Sequence, residues 1–156
     1  MLRRGLVAGV AGTAAMTAWQ ELSSRLQGGQ ESGAPPPADP WEAAPAPAKV
    51  ARKFATDVLG RDVSPDRIGL LTNVMHWGTG IGWGVGYAVA QRVLPGGTLR
   101  KGLAWGSTVW AASYAQLVPM GIYEPPWKYP PDVLALDLSY HLVYGVGTGL
   151  GHRAVS

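Results

Sequence analysis

The sequence predicts an all-α fold, a polytopic membrane protein built as a compact four-transmembrane-helix bundle with Gly-rich packing faces. Two observations predict it. The 13 Lys and Arg and 10 Asp and Glu residues almost completely avoid three windows, Leu70–Ala90, Gly102–Tyr123 and Val133–Gly151. Each window matches the ~20 residues a spanning helix needs, and none shows the charged face that a soluble amphipathic helix carries. Glycine is the second sign. Twelve of the 22 glycines fall in these windows, eleven of them at four-residue spacing, which lets helix backbones approach closely in lipid. The mean hydropathy of the chain is nevertheless close to zero, because residues 20–67 are polar and Pro-rich and the windows favour Gly over Leu.

The first transmembrane helix is read at residues 1–19. "MLRRGLVAGVAGTAAMTAWQ" has a basic start and an apolar stretch short enough for a secretory signal. Gly5, Gly9 and Thr13 lie four apart, as do Ala8 and Gly12, and Trp19 closes the stretch as an interfacial residue type. A disposable signal needs no such face, so a retained helix is expected, continued by the amphipathic "QELSSRLQ".

Residues 20–67 read as an extracytoplasmic Pro-rich connector. In "GGQESGAPPPADPWEAAPAPAK" the prolines lack amide hydrogens and favour extended backbone. A short amphipathic helix follows at about 48–60, with Val50, Phe54 and Val58 in one stripe flanked by Lys49, Arg52 and Lys53. It either lies on a membrane surface or packs back on the bundle.

Residues 68–156 form a region of three further transmembrane helices, at about 68–90, 102–122 and 132–151. Ser64, Pro65 and Asp66 give the first of these its start signal, and Pro130-Pro131-Asp132 opens the last. Arg3 and Arg4, the connector with Arg92, Arg100 and Lys101, and Arg153 put basic charge on one side. Both termini are therefore expected in the cytoplasm. The net charge of +3 reports this topology and gives no sign of nucleic-acid binding. With no cysteine, disulfides, thiolate metal sites and cysteine nucleophiles are excluded.

Gly78, Gly82 and Gly86 form one row on the second span, with Gly80 and Gly84 as another. Gly102 and Gly106 mark the third span; Gly145 and Gly149, with Gly147 and Gly151, mark the fourth. Two glycine faces on one helix exceed what a four-helix monomer uses, which suggests a homo-oligomer or a partner in a membrane complex.

The last span also carries polar residues on one face. Asp137, His141 and Tyr144 fall at i, i+4 and i+7, with Tyr140 beside them and Thr148 one turn on. Asn73 and His76 on the second span, and Ser113 and Gln116 on the third, are expected to face them. Ionisable groups inside a span are candidates for a proton, ion or ligand pathway, and the alternative is a hydrogen-bonded set that fixes helix register. A third reading has His76 and His141 ligating a haem, or a metal ion together with Asp137. No HxxxH or ExxH motif supports it, and no cofactor is predicted. His152 is expected at the membrane edge. No catalytic constellation stands out, and "GTGIGWG" lacks the strand and helix context of a nucleotide loop.

The order of features resembles the YagU-like bacterial inner-membrane proteins. The likeness rests on the "GLVAGVAGT" helix, the Pro-rich segment and the span with His76 and "VGYA". It continues through "LRKGLAWGSTVWAASYAQLVPMGIYEPPW", with Pro119, Met120 and Gly121 at the helix end, and the final "YHLVYG". The resemblance covers most of the chain and implies the inner membrane and an association with acid resistance, but it carries over no catalytic residue. Under that reading Asp137, His141 and His76 are the groups to sense or move protons. The alternative is a structural or accessory subunit of a membrane complex, docking through Trp41 and the "EPPWKYPP" turn.

Overall fold

Five α-helices carry the chain in the computed structural model, which describes residues 1–28 and 37–155. They are α1 (Leu2–Leu26), α2 (Ala46–Leu59), α3 (Ile68–Ala90), α4 (Thr98–Leu117) and α5 (Pro131–Ala154). Single 3-10 turns at Pro65–Arg67 and Pro126–Lys128 precede α3 and α5. The described residues contain no strand, so the fold is all-α.

Local chemistry sets the helix ends. α1 runs on past Trp19 because "QELSSRL" keeps helical preference and Glu21 pairs with Arg25 at i, i+4, 2.8 Å apart. α5 opens on Pro131, where the missing amide hydrogen loses no helical bond, and Asp132 sits in the positive first turn. α4 begins at Thr98 and ends at Leu117, both earlier than the predicted 102–122. Pro119 cannot continue it, and the chain turns back through Gly121, whose φ of +69° favours glycine. The amide of Ile122 then closes on the Leu117 carbonyl at 3.0 Å. Of the Pro-rich connector, residues 29–36 lie outside the described residues. Beyond them the chain is turned rather than extended, with the Glu42 amide donating to Asp39 O at 3.0 Å.

The chain divides into two units, Gln30–Gly78 and the pair Met1–Gly29 with Thr79–Ser156. In the smaller unit Trp41 is buried with Ala44 and Ala48, against Val63, Ile68 and Leu71. The Arg52 guanidinium lies 4.8 Å from the Trp41 ring centre, a cation–π contact. α2 buries Ala48 there, while Phe54 and Val58 of its apolar stripe stay exposed.

In the larger unit α5 packs against both α1 and α4. The crossings are made by glycine. A Cβ on Gly102 would lie 2.7 Å from Gly145 O, and one on Gly145 would lie 2.6 Å from the Gly106 nitrogen. Gly149 approaches Thr98 O at 3.1 Å on the same measure. Between α1 and the later part of α3, a Cβ on Gly5 would come 2.7 Å from the Val85 Cα, and one on Gly9 2.6 Å from the Ile81 Cα. The packing row of α3 is therefore Gly80 and Gly84, which meet Thr13 and Gly9. Of the two rows read from the sequence, this is the one that packs on α1. Among the described residues nothing lies within 4 Å of a Cβ on Gly78 or Gly82, and Gly86 meets only the Trp105 ring.

The core of this unit combines aromatic rings with two small polar side chains, and several large apolar side chains lie on its surface. The largest fully buried side chains are Thr13 and Thr148, beside an aromatic cluster of Tyr87, Trp105, Val109 and Tyr144. Leu6, Val10, Val89, Leu103 and Leu150 are exposed. Each buried threonine donates to the carbonyl four residues back, Thr13 to Gly9 and Thr148 to Tyr144, both at 2.8 Å. Their hydroxyls are thereby satisfied without water. On mean hydropathy over 18 residues, no described helix is long and apolar enough to cross a membrane.

Candidate functional site

The polar groups of α5 do not share one face-to-face stripe; they fan out to three neighbours. Asp137 and His141 turn to α4. The indole Nε1 of Trp110 donates to Asp137 Oδ2 at 2.8 Å, and the Tyr114 hydroxyl donates to the same oxygen at 3.1 Å. His141 Nδ1 lies 2.9 Å from the backbone carbonyl of Asp137 and 3.8 Å from Asp137 Oδ1. With Nδ1 protonated, the imidazole donates to that carbonyl and leaves Nε2 as an acceptor.

One carboxylate oxygen is thus satisfied twice and the other is not. Among the described residues Oδ1 accepts no hydrogen bond, and its nearest charge partner is His141. The Asp137 side chain is 24% exposed and that of His141 12%, so the pair is shielded yet reachable.

Aromatic rings wall the carboxylate. Tyr114 stands edge-on to Trp110 at 5.2 Å and to Tyr129 at 6.1 Å, and Tyr123 tilts against it at 5.2 Å. Burial first, then the charge of Asp137, pushes the Tyr123 phenol up to about 12, so it remains protonated. The connector from α4 to α5 supplies both Tyr123 and Tyr129. The Tyr129 hydroxyl accepts from the Glu124 amide at 3.0 Å, which ties the turn shut over the cluster.

The other α5 groups serve different contacts. Tyr140 and Ser23 of α1 share a hydrogen bond at 2.9 Å, and Trp19 Nε1 donates to Ser139 Oγ at 2.8 Å. Tyr144 is buried and donates to the Gly80 carbonyl at 2.6 Å. Gln116 is exposed and takes no part in the cluster, which corrects its expected place in the polar interior. Ser113 bonds back to Trp110 O at 2.7 Å. Asn73 and His76 belong to the smaller unit, where the Asn73 amide donates to Gly69 O at 3.0 Å within its own helix.

Sequence reasoning missed Trp110 and Tyr114. The available signal was their i, i+4 spacing, which stacks two aromatics with polar tips on one helix face. Among the described residues no three of His, Cys, Asp and Glu converge as a metal site.

No protein-family model, characterised protein or solved structure matches this chain. The functional reading therefore rests on the residues themselves.

Proposed function

We propose that the chain is a small integral membrane protein of the bacterial inner membrane. Its spans lie within α1, α3, α4 and α5, at about 2–19, 68–90, 98–117 and 132–151, and both termini are cytoplasmic. In this reading Asp137 and His141 form a proton-handling pair that contributes to acid or envelope-stress tolerance. The resemblance to YagU-like proteins belongs to the same proposal.

The helices are rich in Gly, Tyr and Trp, which keeps their mean hydropathy modest. Mean hydropathy treats each helix alone and counts Gly, Tyr and Trp as mildly polar. A bilayer meets only the outer surface of a bundle, and there Leu6, Val10, Val89, Leu103 and Leu150 are exposed. Interfacial Trp and Tyr are the residue types that membranes accept at span ends. Helices α1, α3, α4 and α5 have 25, 23, 20 and 24 residues, and at ~1.5 Å per residue each reaches about 30 Å. A homo-oligomer or a membrane-complex partner belongs to the same proposal.

One observation carries the functional part: Asp137 Oδ1 accepts no hydrogen bond among the described residues and lies 3.8 Å from His141 in a helix otherwise almost free of charge. Such a group is costly in lipid and is kept where it works. The test is proton flux into liposomes holding the purified protein, followed with an internal pH dye. Wild type is expected to pass protons in a pH-dependent way, and Asp137→Asn to lose this while circular dichroism stays unchanged. A wild-type rate equal to that of empty liposomes overturns autonomous proton transfer.

A second reading has its own support. Trp110 and Tyr114 both reach across from α4 to the Asp137 carboxylate, so Asp137 can serve to pin α4 to α5 in a structural or accessory subunit. Asp137→Asn would then keep an acceptor, hold the fold, and leave function intact.

A further inference from the structure

A different part of the larger unit carries a second site. Where α1 begins and α5 ends there is a cleft of about 340 Å³, lined by Arg4, Lys101, His152 and Arg153 among others and, among the described residues, by no carboxylate. That volume falls within the roughly 300–1,000 Å³ of small-molecule sites. Three chain segments distant in sequence bring these cations together: the first turn of α1, the first turn of α4 and the last turn of α5. Like charges gather this way against their mutual repulsion.

The backbone of α4 adds to the cationic lining. Gly97 caps α4 in an extended conformation, φ −78° and ψ 176°, with no side-chain cap bond. Gly97 and Thr98 line the cleft, so the uncapped first-turn amides of a 20-residue helix lie at its wall. The ammonium of Lys101 donates to the Gln91 carbonyl, which holds it in place. His152 lines the same cleft. Burial, and then Arg4, Lys101 and the N-terminal amine, hold its pKa below 6.5.

We propose that this cleft binds a phosphate group, on an anionic lipid headgroup or on a soluble phosphate. A tetrahedral oxyanion presents oxygens in several directions at once. Guanidinium forks from α1 and α5, one ammonium and the α4 amides meet that geometry better than they meet a planar carboxylate. A lipid source would rest on the membrane reading, since the cleft would lie at the cytoplasmic headgroup level; a soluble source would not.

The experiment uses the full chain in a neutral detergent. Thermal unfolding and phosphorus NMR line broadening are followed with phosphatidylglycerol, phosphatidylcholine, inorganic phosphate, and chloride at matched ionic strength. Arg4 and Arg153 are exposed, so the Arg4→Gln/Arg153→Gln variant is expected to fold. Arg25→Gln, which disrupts an exposed pair elsewhere, is the control.

Preference for phosphatidylglycerol over phosphatidylcholine supports the proposal with a lipid source. Preference for inorganic phosphate over chloride supports it with a soluble source. In either case affinity should fall about fivefold per cation removed, and remain unchanged in the Arg25 variant. No preference for either phosphate compound, or a double variant that binds like wild type, overturns it. Line broadening on the wild-type chain alone decides the matter if the double variant fails to fold. A lipid arm that fails while inorganic phosphate binds counts against the membrane reading and leaves the site standing.

Discussion

Alanine at Gly145 tests the packing of α4 on α5, with alanine at Gly82 as an internal control. Both positions lie inside helices, so both substitutions gain roughly 1 kcal/mol of helix propensity. At Gly82 nothing lies within 4 Å of the new Cβ among the described residues, and the propensity gain stands alone. At Gly145 the Cβ would sit 2.6 Å from the Gly106 nitrogen and 2.8 Å from its Cα. Carbon contacts are optimal at ~3.5–4.0 Å, so α4 must retreat by about 1 Å. Backbone cannot rotate away as a side chain can, and overpacking of this kind costs about 1–3 kcal/mol. Propensity cancels between the variants, leaving a gap of about 1–3 kcal/mol, or roughly 5 °C in unfolding midpoint for a chain of this length. Thermal unfolding by circular dichroism in one detergent reads it. Equal midpoints for the two variants would refute the glycine crossing.

The Asp137 cluster and the cationic end of the bundle make further predictions. Trp110→Phe removes the 2.8 Å bond to Asp137, and Tyr114→Phe the 3.1 Å bond. Bonds to a charged acceptor contribute about 1.5–3 kcal/mol, so both should destabilise, Trp110→Phe the more. Combining either with Asp137→Ala in a double-mutant cycle should show coupling, and strict additivity would remove the bond from the account. For His152 the folded-state pKa lies below the ordinary 6.5. Between these two values the unfolded chain binds more protons, so stability is present above 6.5 and falls as pH drops through the folded value. His152→Gln should flatten that part of a midpoint-against-pH curve; an unchanged slope would assign it to another group.

Element existence was legible because charge-free windows and proline placement are local properties. Pro131 opening α5 and Pro119 barring α4 could be read directly from the string. Rotation about a helix axis could not. Gly78–Gly82–Gly86 and Gly80–Gly84 carry the same four-residue spacing, and only the neighbour decides which row is used; α1 meets the second. Asp137 and His141 were legible as isolated polar residues in an apolar run. Their partners were not, because the expected acceptors and donors are Asn73, His76, Ser113 and Gln116. Trp110 and Tyr114 did the bonding instead, through polar tips on side chains that read as apolar bulk. The amphipathic stripe of α2 had two readings, and within its own unit Phe54 and Val58 remain exposed.

The central claim is that the exposed apolar surface faces lipid, and the absence of cysteine makes a direct measurement simple. Single cysteines at Val10, Val74 and Ala111, exposed positions within α1, α3 and α4, and at Val93 in the connector after α3, would be challenged with a water-soluble maleimide in permeabilised membrane vesicles. The account predicts rapid labelling at Val93→Cys and protection at the other three until detergent is added. Labelling of all four at similar rates before detergent would contradict it.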